Sequence, residues 1–362
     1  MTRLGDLCEF RYGKSLPAQS RREGPIPVYG SNGVVGWHDE AITNGKTIVI
    51  GRKGSIGEIN VSADSCWPID TTYYIDADAT EVDIGWLSGA LSSLRLSELN
   101  KAAAVPGLNR GDAYEKRLFV PRLDEQRRIA AILDKADALR QKRKRAITLL
   151  DSLTQSIFLE MFGDPKHNPL GFREVSLGAV ADFFAGNSLP AGESYSGQAD
   201  GYLLLKVSDM NLPGNEEMIN YSAAWSAAPG SKASTCPTNA IVFPKRGGAI
   251  STNKKRRLSR PAILDPNVMG VYPRLGMLHE EYLFSWFQKL DLTEISSGSS
   301  VPQLNKQDLA PLMIAMPDMA LQQDFAVRLE RIRPNRQAAG TALAASEALF
   351  ATLQHRAFSG QL

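Results

Sequence analysis

A fifteen-residue opening occurs twice in this chain. LGDLCEFRYGKSLPA runs from Leu4 to Ala18 and LGAVADFFAGNSLPA from Leu177 to Ala191, with no gap between the copies. Leu4, Gly5, Phe10, Gly13, Ser15, Leu16, Pro17 and Ala18 are identical in both. A second match closes each half. Val105-Pro106-Gly107-Leu108-Asn109 answers Val301-Pro302-Gln303-Leu304-Asn305, Asp112 answers Asp308, Pro121 answers Pro317 and Gln126 answers Gln322. A third pairs Leu153 and Phe158 with Leu353 and Phe358. The offset is about 170–200 residues, far above the roughly 20–50 residues of a solenoid repeat. Each copy is therefore a domain followed by a spacer.

The spacers read as helices. Pro121 cannot sit inside one, and Asp124 is a good N-cap. From Asp124 to Phe162 there is no proline and no glycine. Ile129, Leu133, Ala136, Leu139, Ile147, Leu150, Leu153 and Ile157 recur at helical or heptad-like steps. A helix of about 38 residues is roughly 57 Å long, well beyond the ordinary globular helix. From Met316 onward the design repeats, with Phe325, Leu329, Ile332, Leu343, Phe350 and Leu353 as the stripe. Pro334 and Gly340 interrupt it, and a kink or break is expected between Arg333 and Gly340.

The unit interiors mix strands and helices. Ile26–Trp37 reads as strand, turn, strand; Lys46–Val61 as an apolar strand, a glycine-rich turn and a second strand; Cys66–Ile75 as strand. Ile84–Leu99 and Glu280–Leu290 carry helical spacing. GYLLLKVSDM and NAIVFPKRGGAI supply strands and turns to the second unit, and His167–Phe172 a hinge.

Hydrophobic residues make up 43% of the 362, enough for two cores. No apolar run approaches the roughly 20 residues of a membrane span, and MTRLGDLCEF has no apolar signal region, so a cytoplasmic location is expected. Cys8, Cys66 and Cys236 are widely spaced, with neither a disulfide framework nor a zinc pair, and are expected to be buried thiols. The four histidines show no metal-ligand pairing. Net charge is only +2, so any nucleic-acid site must come from local clusters. Two exist: Arg140 with Lys142, Arg143, Lys144 and Arg145, and Lys254, Lys255, Arg256 and Arg257 with Arg260. Each taken singly reads as a solvated face.

Both units place basic residues beside glycine after an apolar strand: Gly51-Arg52-Lys53-Gly54-Ser55 and Pro244-Lys245-Arg246-Gly247-Gly248. Glycines let backbone amides approach a phosphate, and Arg or Lys adds charge or a fork. A polar hairpin turn is the plainer reading of either loop, but occurrence in both units favours a binding role. Tyr29-Gly30-Ser31-Asn32-Gly33 adds an aromatic and an amide, although Asn-Gly alone is simply a tight turn. In Val-Pro-x-Leu-Asn, Asn109 and Asn305 read as N-caps. Gly13-Lys14-Ser15 and Gly45-Lys46-Thr47 lack the earlier glycine of a phosphate-binding loop, having Cys8 and Glu40 there. No catalytic constellation is found.

In their order, these features resemble the specificity subunit of a type I restriction–modification enzyme. The carriers are the duplicated opening, YGSNGVVGW, VIGRKGSIG, VPGLN with VPQLN, PRLDEQRRIAAIL and the terminal LQHRAFSGQL. The resemblance implies an α+β fold: two similar mixed α/β target recognition domains related by an internal pseudo-twofold repeat, and two long helices forming an antiparallel coiled coil. The expected segments are 1–120 and 164–315 for the domains, and 121–163 and 316–362 for the helices. Each domain would read one half of a split double-stranded DNA site. The helices would set the gap and dock two modification subunits that methylate adenine. S-adenosylmethionine, ATP and Mg²⁺ would belong to the modification and restriction subunits, with no cofactor and no catalysis in this chain. Arg52, Lys53, Lys245, Arg246, Lys254 and Lys255 are the expected phosphate contacts. Tyr29, Asn32 and Ser55 are the expected base or groove contacts. The alternatives are a self-contained DNA-modifying enzyme and a coiled-coil adaptor without DNA contact.

Overall fold

The computed structural model describes residues 1–100, 107–297 and 301–362. Val105 and Pro106 of the first Val-Pro-x-Leu-Asn motif lie outside them. Contacts divide the chain into two compact units, Met1–Ile147 with Ala338–Leu362, and Thr148–Gln337. Each unit thus contains part of both long helices.

In the first unit, TIVIG (Thr47–Gly51) is buried along its whole length, as an apolar strand covered on both faces must be. It lies in a four-stranded antiparallel sheet in the order Arg11–Tyr12, Thr72–Ile75, Thr47–Gly51, Ile59–Ser62. The helix Ile84–Ser93 starts at Asp83, whose carboxylate accepts from the Trp86 amide at 2.9 Å. It buries Trp86, Leu87, Ala90 and Leu91 in one cluster with Ile48 and Ile50. Ile129, Ala130 and Leu133 of the first long helix, and Ala357 of the second, join that cluster. A separate sheet orders Gly33–His38, Ile26–Gly30 and Trp67–Pro68.

The second unit repeats the scaffold. Ala181–Ala185, Val268–Pro273, Ile241–Pro244 and Arg256–Leu258 follow the same spatial order, with Met218–Ile219 added at the edge. The helix Glu280–Lys289 packs Tyr282, Leu283, Trp286 and Phe287 into a cluster with Phe243 and Val271. Phe158, Phe162 and Phe325 of the long helices enter it, with Phe162 and Phe325 edge to face at 5.2 Å. The other sheet here has five strands where the first unit has three. The copies agree in scaffold and diverge in the second sheet.

The matched residues explain themselves. Gln126 accepts from the Asp83 amide at 2.8 Å and donates to the Pro121 carbonyl at 2.9 Å. Gln322 accepts from the His279 amide at 2.8 Å and donates to the Pro317 carbonyl at 2.8 Å. Asp83 and His279 are the N-caps of the two core helices. Both glutamines are buried, so each fixes the entry to a long helix against the start of a core helix. Gly13 and Gly186 recur because a Cβ there would lie 2.1 Å from the Ile69 carbonyl oxygen and 1.7 Å from that of Asp265.

The long helices run Leu123–Phe162 and Met319–Phe358. Asp124 is in the first turn rather than at the cap, because the helix begins one residue earlier. The expected break does not occur: the second helix continues through Pro334 and Gly340. Pro334 sits on the exposed side, and the residues flanking it are tied by ion pairs, Arg333 to Glu281 and Arg336 to Asp151 and Glu217. Inside each unit the helix segments pair antiparallel. In the first, Arg140 lies 4.4 Å from the Phe350 ring centre, Lys144 pairs with Glu347 at 3.2 Å, and Arg143 donates to the Ala342 carbonyl. In the second, Asp151 meets Arg336 and Phe158 meets Phe325. Leu139 and Leu153 are on the exposed side, contrary to expectation. Arg140, Arg143 and Asp151 share the inward line with the remaining stripe residues Ala136, Ile147, Leu150 and Ile157. Among the described residues no helix is long and apolar enough to cross a membrane.

Candidate nucleic-acid interface

The two basic loops are built alike. In the first unit a Cβ on Gly51 would lie 1.9 Å from the Ser55 carbonyl oxygen, so only glycine permits the turn. Gly54 and Gly57 have φ of +76° and +73°. The Arg52 carbonyl accepts from the Leu108 amide at 2.9 Å. In the second unit the Lys245 carbonyl accepts from the Leu304 amide, also at 2.9 Å. In each unit the loop is therefore joined to the leucine of its Val-Pro-x-Leu-Asn motif, about 55 residues away in sequence. Gly247 strengthens the second by donating to the Pro302 carbonyl at 2.8 Å.

The amides beside the basic side chains are already engaged within the protein. Arg52 and Lys53 both donate their N–H to the Thr71 carbonyl, at 2.9 and 3.1 Å, and the Lys245 N–H goes to Asn267 at 2.7 Å. The charge is carried by side chains. Lys53 and Arg246 are exposed; Arg52 and Lys245 are half-buried. Burial first, then the neighbouring Arg246, pulls the Lys245 ammonium below its ordinary pKa. Arg52 donates to the Asp70 carbonyl at 2.6 Å and lies over the Tyr12 and Tyr73 rings.

Asn109 caps the short helix Arg110–Tyr114 by accepting from the Gly111 amide at 2.8 Å. The Asn305 amide donates to Asp308 at 2.7 Å at the start of Lys306–Leu309. The next residue in each motif is basic. Arg110 stacks near Tyr12 and Tyr114, and Lys306 lies 5.9 Å from the Phe183 ring centre. Arg110, Lys306 and Tyr12 were not singled out in the sequence. The signal was there for two of them: both Val-Pro-x-Leu-Asn motifs continue into Arg or Lys.

Of the other expected contacts, Asn32 and Ser55 are exposed, Asn32 at the tip of the turn where Gly30 faces Gly33. Tyr29 is not available. It is buried with Val49 and Cys66, its hydroxyl aimed at the Val61 carbonyl at 3.5 Å. Lys255 is not available either. It is only 2% exposed and donates to Asn253 and the Leu290 carbonyl at 2.9 and 2.7 Å. Its neighbours are similarly engaged: Lys254 with Asn211, Arg256 with the Asn215 carbonyl, Arg257 with Glu281, Arg260 with carbonyls of the Gln198–Asp200 segment. Lys255, Arg256 and Arg257 are held within the fold, whereas Lys254 is half-exposed. Cys8, Cys66 and Cys236 are free and buried, and burial pushes the Cys8 thiol up to about 12. Among the described residues no cluster of His, Cys, Asp or Glu has metal-binding geometry.

Comparison with known proteins follows the repeat only in part. Residues 1–149 match the family model of the type I restriction modification DNA specificity domain. A type I restriction enzyme EcoprrI specificity subunit from Escherichia coli is 30% identical over 142 residues, 38% of this chain and 35% of that one. The match thus spans about a third of that relative's length. Among solved structures, the S subunit of a type I restriction–modification system from M. genitalium aligns with a TM-score of 0.66 at 16% identity, over 98% of this chain and 95% of that one. A chain from a study of complex assembly and conformational transition of the type I system aligns with a TM-score of 0.50 at 17% identity, over 100% and 97%. These structures share the fold.

Proposed function

We propose that this chain, whose residues 1–149 match the family model of the type I restriction modification DNA specificity domain, is the DNA-reading subunit of a type I restriction–modification complex. Each unit reads one half of a bipartite duplex site. The two long helices set the gap between half-sites and hold two modification subunits. Methyl transfer from S-adenosylmethionine and ATP-dependent cleavage are the work of the partner subunits.

One observation carries this reading: equivalent loops in the two units present Arg52, Lys53 and Arg110, and Lys245, Arg246 and Lys306. Among the described residues none of the six is in an ion pair with a carboxylate. A protein of net charge +2 that leaves the same cations unpaired twice is suited to a polyanion with two equivalent contact points. Each half-site contact is weak alone, and tethering makes the second effectively intramolecular. The scaffold sheets match while the second sheets differ, as two readers of different sequences require.

The experiment is to map methylated adenines genome-wide in the host with and without this gene. A bipartite motif that disappears on deletion is expected. Unchanged methylation, together with no binding of the full chain to random-sequence duplexes in a gel shift, sinks the proposal in favour of an adaptor. Binding of S-adenosylmethionine by the isolated chain favours the self-contained enzyme.

A further inference from the structure

Tyr12 has no use in the core. The residue is 54% exposed, whereas its aromatic neighbours Phe10 and Tyr73 are 0% and 3% exposed. Tyr73 supports it edge to face at 5.0 Å. Two guanidiniums flank it, Arg52 at 5.3 Å and Arg110 at 5.5 Å from the ring centre. They arrive from different segments, the basic loop and the first residue of the helix Arg110–Tyr114. Backbone carbonyls hold both: Asp70 accepts from Arg52 at 2.6 Å and Phe10 from Arg110 at 3.2 Å. The forks are therefore fixed before any ligand arrives.

Two like charges on one ring repel, and among the described residues no carboxylate neutralises either. Folding alone does not call for such a cluster. A flat exposed ring between two fixed cations fits a ligand that offers an apolar edge between anionic groups. A DNA strand in a groove does this, with sugars and base edges lying between successive phosphates.

The second unit lacks the arrangement. The residue matching Tyr12 in the duplicated opening is Ala185. The cations equivalent to Arg52 and Arg110 are Lys245 and Lys306, point charges without a planar fork.

We infer that Tyr12, held between Arg52 and Arg110, is a groove-contacting specificity residue of the first unit, and that the second unit reads its half-site without a counterpart. Arg52 and Arg110 take the flanking phosphates and orient the ring; Tyr12 meets sugar and base edges between them. This rests on the DNA-reading function proposed above. It adds that the two half-sites are recognised by unlike means.

The test is selection from a random-sequence duplex library by the full chain, unaltered and with Tyr12→Ala, Tyr12→Leu or Tyr12→Phe. The unaltered chain enriches a bipartite motif. Tyr12→Ala and Tyr12→Leu lower enrichment about tenfold at one or two positions of one half-site, the scale of one lost base contact. The other half-site is unaffected, and Tyr12→Phe keeps the preference. Tyr12→Leu retains apolar bulk against Tyr73, so it separates lost contact from lost folding, and a thermal melt checks both variants. Unchanged base preferences in both variants, or equal loss in both half-sites, overturn the inference while leaving the DNA-reading function intact. Selection of no motif by the unaltered chain overturns both.

Discussion

The strand Arg256–Leu258 lies fourth in a five-stranded sheet, and that placement turns charges of a basic run inward. Burial pulls the Lys255 pKa down to about 8, only partly opposed by Asp291. Below about 8 the ammonium is charged in both states and its desolvation opposes folding. Between about 8 and the ordinary value of 10.5 the unfolded chain binds the proton that the folded chain has released. Stability should therefore rise with pH across that window. Urea midpoints at the two ends of the window should show the rise, and Lys255→Met should remove it; an equal rise in the variant refutes the assignment. Glu281 illustrates the opposite balance. Burial raises its pKa, but Arg257 and Arg333 together outweigh burial and hold it below the usual carboxylate range. Its stabilising share is present above the ordinary glutamate value and is lost as pH falls through the depressed one. Glu281→Gln leaves the Arg257 side chain, 6% exposed, without its counter-charge. A loss of about 3 kcal/mol in urea unfolding is expected, with a flatter acid limb. None of this was legible in the sequence, because Glu281, Leu290 and Arg333 come from distant segments.

The long helices were legible as elements, since proline-free length and a repeating stripe are local properties. Most of the inward line was legible too, since Ile129, Leu133, Phe325 and Leu329 are buried and Ile157, Ile332, Phe350 and Leu353 pack against the cores, but not all of it. A hydrophobicity pattern selects Leu139 and Leu153, yet Leu149, Leu139 and Leu153 all lie outward, Leu149 at 69% exposure. The inward line runs through Arg140 and Arg143, whose stems cover apolar surface while their charged ends reach an aromatic face or a carbonyl of the other helix. The continuity of the second helix likewise reflects tertiary ties on both sides of Pro334, which propensity does not see. The cost of the two breakers should still be measurable. A Cβ on Gly340 meets nothing within 4 Å, so Gly340→Ala should stabilise by about 1 kcal/mol. Pro334→Ala should add up to about 3 kcal/mol by restoring a helical hydrogen bond. Chemical denaturation of the full chain checks both. No gain from Gly340→Ala would refute the propensity argument at this position.

At the scale of the whole chain, the duplication made the candidate interface legible and also limited what could be read. Motifs repeated in both halves identified the loops of Arg52 and Lys245, and the structure ties each loop to Leu108 or Leu304 of its motif. Tyr12 escaped because it is not repeated, and Lys255 misled because a charge run carries no direction. The duplication also makes a quantitative prediction. If Arg52, Lys53, Lys245 and Arg246 neutralise phosphates, removing either pair should reduce the salt slope of log affinity by about 2, near 0.9 per phosphate. Arg52→Ala with Lys53→Ala, and Lys245→Ala with Arg246→Ala, lie in different units and share no partner, so their effects should add. Titrations of the full chain with a random-sequence duplex, from about 50 to about 200 mM salt, measure all four combinations. A quadruple variant with a slope smaller by about 4 places both loops on the backbone of one duplex. If either double variant alone abolishes the slope, or the second pair changes nothing, the loops are not equivalent contacts and only one unit meets DNA in this way.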